Sequence, residues 1–90
     1  MSHSTETSAR TQHERILAEN CDESGVYLGL ATSNLMSIGS ARGNLRVKVE
    51  EERERFPQFT LSSFIPTDMP EKLEEITRAE FRKMGTAVRI

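Results

Sequence analysis

The clearest pattern of apolar and polar positions lies near the carboxyl end of the chain, in the segment 68–84. Apolar side chains recur there every three or four residues, which is the spacing of a helix that buries one face. Thr67 and Asp68 can cap its start, and Pro70 suits its first turn, where a missing amide does no harm. Gly85 is placed to end it. The pattern predicts an amphipathic helix whose apolar face carries Met69, Leu73, Ile76, Thr77, Phe81 and Met84.

Alternating patterns upstream of this helix predict strands. GVYLGLAT at 25–32 has one apolar face and one face of small residues, and QFTLSSFIP at 58–66 reads as a further strand. NLRVKVEEE at 44–52 alternates most cleanly, and it predicts a strand over 45–50 with one packed and one solvated face. LMSIG at 35–39 is compatible with a strand or a loop, and TAVRI at 86–90 with a final strand. Residues 50–55 fit a strand, a turn or a helix equally.

The first ten residues carry no large apolar side chain apart from Met1, so little there repays the entropy of ordering. We therefore predict a disordered tail over 1–10, followed by a single domain over 11–90. Thr11 and Glu14 have the spacing of a capping box, which predicts a short helix over 12–21. Its apolar face is small, consisting mainly of Ile16 and Leu17.

These elements together predict an α+β fold. We expect a small antiparallel sheet of three to five short strands, packed against a C-terminal amphipathic helix, with a short N-terminal helix. The chain has 90 residues, of which 36% are hydrophobic, so it has room for one small core. Its stability margin is expected to be thin or shared with a partner.

Charge and cysteine content narrow the classes of function. Twelve basic and 14 acidic residues leave a net charge of −2, so any affinity for nucleic acid has to be local. Cys21 is the only cysteine and cannot form an internal disulfide, which favours a reducing, cytoplasmic location. No stretch has the length and apolarity of a membrane span or signal peptide, and we expect no membrane partner.

Side chains suited to catalysis do not form a recognisable set. Cys21, His3 and His13 lack the spacing of a zinc site, so we predict no metal or other cofactor. Glu80 projects into the apolar stripe of the C-terminal helix, but a general acid or base needs a cleft and a second polar group. The sequence therefore predicts a protein that is not an enzyme.

Two candidate binding features remain. Arg42, Arg46 and Lys48 predict a basic strip along the solvated face of the 45–50 strand, which is a local hint of nucleic-acid binding. The glycine-containing loop before it lacks the ending of a P-loop and suits a plain turn better, with a positive φ at Gly43 or Asn44.

Tyr27 lies beside small residues on the less apolar face of its strand, where it can either anchor a partner chain or cover the edge of the core. The leading hypothesis is a small non-catalytic protein-interaction module, a regulator, inhibitor or assembly subunit that binds a larger protein or self-associates. The alternatives are a nucleic-acid-binding protein that uses the basic strip and, after it, a small enzyme or ligand-binding subunit.

Overall fold

The computed structural model describes residues 5–89 and has an α+β fold. Three strands form an antiparallel sheet in the order β2-β1-β3, with β1 in the centre, and three helices pack on it. α1 and α2 cover one face of the sheet, and α3 covers part of the other. The elements in chain order are α1 (Thr5–Asn20), β1 (Ser24–Thr32), β2 (Leu35–Arg42), α2 (Leu45–Arg55), β3 (Thr60–Pro66) and α3 (Pro70–Lys83).

The face of the sheet under α1 and α2 is filled by aromatic rings that lie against glycines. A Cβ added to Gly29 would lie 2.7 Å from the ring of Phe59, and one added to Gly39 would overlap the ring of Tyr27. These distances are shorter than real Cβ contacts, so only glycine leaves room for the rings. The rings of Tyr27 and Phe59 meet edge to face, with their centroids 6.2 Å apart. The core on this face consists of Tyr27, Ala41, Leu45, Val49, Phe59 and Leu61.

The opposite face is aliphatic and smaller. Val26, Leu28 and Ile38 are buried there, and Leu73 and Phe81 of α3 pack against them while remaining partly exposed. The side-chain alternation predicted for β1 is confirmed, since Val26 and Leu28 share this face and Tyr27 lies on the other.

The prediction of a strand over residues 45–50 is wrong, because this segment is the first half of α2. Leu45 and Val49 are buried as the pattern requires, but they are four residues apart and also share one face of a helix. Val47 separates the two possibilities, since it is 50% exposed. The row of buried residues continues at helical spacing to Glu52. Because Glu52 is charged, the apolar pattern of the sequence does not show this helical spacing.

The ends of the helices differ from their predicted positions. α1 begins at Thr5, so residues 5–10 are helical and the Thr11–Glu14 pair lies inside the helix instead of capping it. Residues 1–4 of the predicted tail lie outside the described residues. The C-terminal helix is confirmed, although its N-cap is Met69 and no side chain caps it. Gly85 follows the helix with a φ of 82°.

The structure defines two further segments whose conformation the sequence left open. Residues 35–39 belong to β2, and Gly43 has the predicted positive φ, at 74°. The final strand predicted over 86–90 is reduced, within the described residues, to one parallel bridge between Met36 and Val88 at the outer edge of β2. No helix within residues 5–89 is long and apolar enough to cross a membrane.

Candidate functional sites

The three residues of the predicted basic strip do not form a strip. Arg42 ends β2 and forms a two-point ion pair with Glu71 of α3, in which its Nη2 lies 2.6 Å from Oε1. That exposed pair lowers the pKa of Glu71 to about 2 through the hydrogen bonds from Arg42. Arg46 and Lys48 lie on α2. Residues that are two positions apart in a helix are separated by about 200° around its axis, so these two side chains point to different sides.

Tyr27 is only 4% exposed, so its ring belongs to the core and offers no face to a partner chain. Its hydroxyl donates a hydrogen bond to Oε2 of Glu52, 2.8 Å away, and burial and this bond raise the pKa of Tyr27. The small neighbours that suggested room for another chain instead make room for aromatic rings of the same chain.

A buried polar cluster surrounds the carboxylate of Glu52. Arg89 places Nη2 2.5 Å from Glu52 Oε2 and donates from Nε to Ser37 Oγ at 3.2 Å. Arg78 of α3 holds the same C-terminal segment, because its Nη1 donates to the carbonyl of Arg89 at 2.6 Å and its Nη2 to that of Ile38. Within the described part of the chain, Glu52 Oε1 is buried without a hydrogen-bond partner.

This cluster borders an open cleft of about 430 Å³ between α2, β2 and α3. Its described lining includes four basic and four acidic side chains, whose charges balance. Its buried members bond to one another, and the hydroxyl of Tyr27 is held in its protonated form. We assign the cluster a structural role, in which Arg89 ties the residues after α3 to the core.

A second cleft, of about 520 Å³, lies between α1 and α2 and is predominantly basic. Among the side chains that the structure describes, three arginines and His13 line it, and Glu14 is the one acidic residue. Basic side chains therefore predominate in its described lining, whereas in the first cleft basic and acidic side chains are equal in number. Its remaining lining is Leu17 and Ala18, and its arginines are Arg10, Arg46 and Arg53.

His13 joins α1 to the edge of β3. Its Nδ1 accepts a hydrogen bond from the backbone N–H of Leu61 at 2.9 Å, and its Nε2 lies 3.1 Å from Nη2 of Arg53. Burial, and then the charge of Arg53, lower the pKa of His13. Gln12 adds a hydrogen bond from Nε2 to the carbonyl of Ser62 at 3.1 Å.

An exposed apolar surface occupies the side of α3 that is turned toward β3. Arg78 reaches the outer edge of β2, and Ile76 lies about 200° from it around the helix, so Ile76 faces the other way. α3 packs over β2 and β1 and leaves the β3 side of this sheet face uncovered. We call this surface the α3 flank; its residues are Leu30, Ile65, Met69 and Ile76, each more than a third exposed.

The remaining candidates carry little chemistry. Glu80 is exposed and lies 3.6 Å from Lys83 as an ion pair, so it is not buried in the apolar stripe. Cys21 is a half-buried free thiol. No group of three or more potential metal ligands occurs within residues 5–89, and His3 lies outside them.

Comparison with known proteins adds no assignment. No family model, curated protein or solved structure matches this chain.

Sequence reasoning missed both the α3 flank and the basic cleft. The sequence does not reveal the flank, because Met69 and Ile76 fit the apolar stripe of a helix and that pattern predicts their burial. The cleft joins residues of α1 and α2 that are at least 28 positions apart, and only the correct assignment of α2 as a helix brings Arg46 and Arg53 to one side. The signal available in the sequence was the seven-residue spacing of Arg46 and Arg53, which places both on one side of a helix.

Proposed function

We propose that this protein is a non-catalytic interaction module that self-associates through the α3 flank, so that a second copy of the chain is its partner. The observation that carries the proposal is the exposure of Met69 and Ile76 of α3, at 54% and 50%, together with that of Leu30 and Ile65 on the sheet. Exposed apolar surface on a small domain often marks a protein interface. A location in a reducing compartment suits the single cysteine.

The charges of α3 favour a second copy over an unrelated partner. The first half of the helix is net acidic and the second half net basic, so two copies in antiparallel orientation oppose unlike charges. A twofold dimer pairs the same surface on both subunits, and each contact then occurs twice. Antiparallel helices also oppose the ends of their dipoles favourably.

One pair of charges specifies the register of this dimer. Lys72, Ile76 and Glu80 are spaced by four and therefore form one row along the helix. If two copies cross at Ile76, Lys72 of each copy faces Glu80 of the other. The exposed Glu80, which pairs with Lys83 of its own chain at 3.6 Å, thereby gains a second cation.

The sheet edge is a weaker candidate interface than the flank. β3 forms one edge of the sheet, and edge strands can pair with another chain through their free backbone groups. Side chains of α1 occupy two of those groups, since His13 accepts from Leu61 N–H and Gln12 donates to the carbonyl of Ser62. Self-association through an exposed face is therefore favoured over strand addition.

Sedimentation equilibrium across a wide concentration range tests the proposal. We expect a monomer–dimer equilibrium that Ile76→Glu shifts toward monomer by at least tenfold in Kd, because it buries a charge in the interface. Val47→Glu is the matched control, since Val47 is equally exposed at 50% but lies on α2. The proposal fails if the wild-type chain is monomeric at every concentration, or if both variants dissociate equally.

A charge exchange tests the register. Lys72→Glu and Glu80→Lys should each weaken the dimer, and the double variant should recover most of the lost affinity because the pair is restored with reversed sign. Losses that simply add in the double variant would contradict the antiparallel crossing at Ile76.

A further inference from the structure

The residues after α3 lie along the outer edge of β2 as a short added strand. Met36 donates its backbone N–H to the carbonyl of Ala87 at 2.9 Å, and its own carbonyl accepts from the N–H of Arg89 at 2.8 Å. These two bonds flank Val88 and form the parallel bridge between Met36 and Val88. The C-terminal segment, defined as residues 86–89, therefore shows that the β2 edge accepts an extended chain in parallel orientation.

The two faces of this added strand meet different surroundings. Val88 packs against the aliphatic cluster under α3, whereas the guanidinium of Arg89 pairs with the carboxylate of Glu52 on α2. The ring centroid of Phe56 lies 5.9 Å from the guanidinium carbon of Arg89. The Glu52 side chain is only 4% exposed and needs a cation beside it, because an unpaired buried charge is costly. The site therefore selects an apolar residue followed by a basic one.

The C-terminal segment satisfies this site incompletely. Arg89 reaches Glu52 through Oε2, and among the described residues the buried Oε1 has no hydrogen-bond partner. A guanidinium can bond both oxygens of a carboxylate in parallel, but Arg89 directs its Nε to Ser37 instead. A buried acceptor without a donor is destabilising, so the segment is an imperfect occupant of the site.

The segment is also held by few contacts. None of residues 86–89 is buried. The added strand has one bridge, and Arg78 occupies the carbonyl of Ile38 that a longer parallel strand would use. Gly85 precedes the segment with a φ of 82°, a conformation that glycine adopts readily. Elements with few buried contacts open at a low cost in free energy, so a competing chain can displace the segment.

We propose that the outer edge of β2 binds an extended peptide segment of another protein, in which an apolar residue is followed by arginine. The peptide adds as a parallel strand at Met36, and its arginine pairs with Glu52. The C-terminal segment is an internal competitor that closes the site until the peptide displaces it. The edge borders the cleft of about 430 Å³ between α2 and α3, and helices on both sides favour one extended chain over the edge of a second sheet.

A synthetic peptide with the sequence of residues 85–90 and blocked termini is the probe, and ¹H–¹⁵N NMR of the full chain follows its binding. We expect saturable shifts at the backbone N–H of Met36. The Kd should be at least about tenfold lower for Arg89→Ala than for the wild-type chain, whose own segment competes for the site. Absence of saturable binding, or equal affinity for the two proteins, would overturn the proposal.

A second peptide tests the selection of a basic residue. It has the same sequence except that glutamate replaces the arginine, which would place a second negative charge beside Glu52. We expect no saturable binding of this peptide to Arg89→Ala. Equal binding of the two peptides would contradict recognition by Glu52.

Arg78→Gln keeps the test decisive if Arg89→Ala does not fold. It removes the hydrogen bonds to the carbonyls of Arg89 and Ile38 and leaves the pair between Arg89 and Glu52 in place. We expect Arg78→Gln to bind the peptide more tightly than the wild-type chain. Arg82→Gln, which replaces an exposed arginine of α3, is the control and should bind as the wild type does. Equal affinities of these two variants would contradict a site that the segment closes.

Ile76→Glu separates this site from self-association through the α3 flank. The flank faces β3, so this variant should bind the peptide as the wild-type chain does. Loss of peptide binding in Ile76→Glu would place the peptide on the flank and contradict the β2 edge. A wild-type dimer that excess peptide dissociates, and that Ile76→Glu leaves intact, would make a second copy the occupant and overturn the assignment to another protein.

Discussion

The face of the sheet under α1 and α2 places aromatic rings over glycines, whereas the face under α3 carries branched aliphatic side chains. The first is closed, with Phe59 fully buried and Glu52 held by Tyr27 and Arg89. The second is only partly covered, because α3 leaves the β3 side of the face open. In a chain this small, burial is concentrated on one face while the other retains apolar surface that is free to bind. The first face therefore holds the larger buried core. The second carries the surface through which we propose self-association.

Truncation of one phenylalanine on each face gives the largest expected contrast. Phe59→Ala should lower the free energy of unfolding by about 3–5 kcal/mol, since a fully buried ring is removed. Phe81→Ala should cost about half as much, because Phe81 is only partly buried against α3's face of the sheet. Urea denaturation measures both. If Phe59→Ala does not fold, Phe59→Leu preserves the comparison, and equal losses on the two faces would contradict it.

Removal of Arg89 should have the next largest effect. Arg89→Ala leaves the buried carboxylate of Glu52 without its cation, and we expect a loss of about 3 kcal/mol. Arg82→Ala, which removes an exposed arginine of α3, should leave the free energy of unfolding nearly unchanged. A small loss for Arg89→Ala would show that the cluster at Glu52 contributes little to holding the C-terminal segment.

The smallest effect expected is a dependence of stability on pH through His13. Burial and Arg53 lower its pKa from 6.5 in the folded state, so the unfolded chain binds a proton first as the pH falls. The free energy of unfolding should therefore decrease as the pH is lowered from about 7 to about 5. His13→Gln should flatten this slope, because its amide oxygen can accept from Leu61 but does not titrate. Equal slopes in both proteins would exclude His13 as the cause.

Much of the fold could be predicted from local pattern. In the helix at 70–83 and the strands at 24–32 and 60–66, the spacing of apolar residues fits only one type of secondary structure. The segment 45–50 could not be assigned in this way, because Leu45 and Val49 fit both periods and the helical row continues through Glu52. A charged residue such as Glu52 normally indicates the end of a buried row. Its burial depends on Tyr27 and Arg89, which are distant from it in sequence.

The sites were less predictable for the same reason. Arg42, Arg46 and Lys48 were grouped on the basis of a strand, and their separation follows directly from the helix that replaced it. Exposure of Ile76 depends on how far α3 extends across the sheet, which no local pattern states. The contact between His13 and Arg53 requires α1 and α2 to lie on one face of the sheet, which is a tertiary feature that local pattern does not indicate.

The contacts between rings and glycines set a rule for how this sequence can diverge. Residues 39 and 27 share one volume, so a larger side chain at position 39 is acceptable only if the facing ring becomes smaller. At position 29 the backbone carbonyl of Thr60 lies 2.5 Å from an added Cβ, so a smaller ring at position 59 does not make room there. Related sequences should therefore change positions 27 and 39 as a pair and keep glycine at position 29. Such paired substitution offers a means of recognising distant relatives even where the overall identity of the chain has been lost.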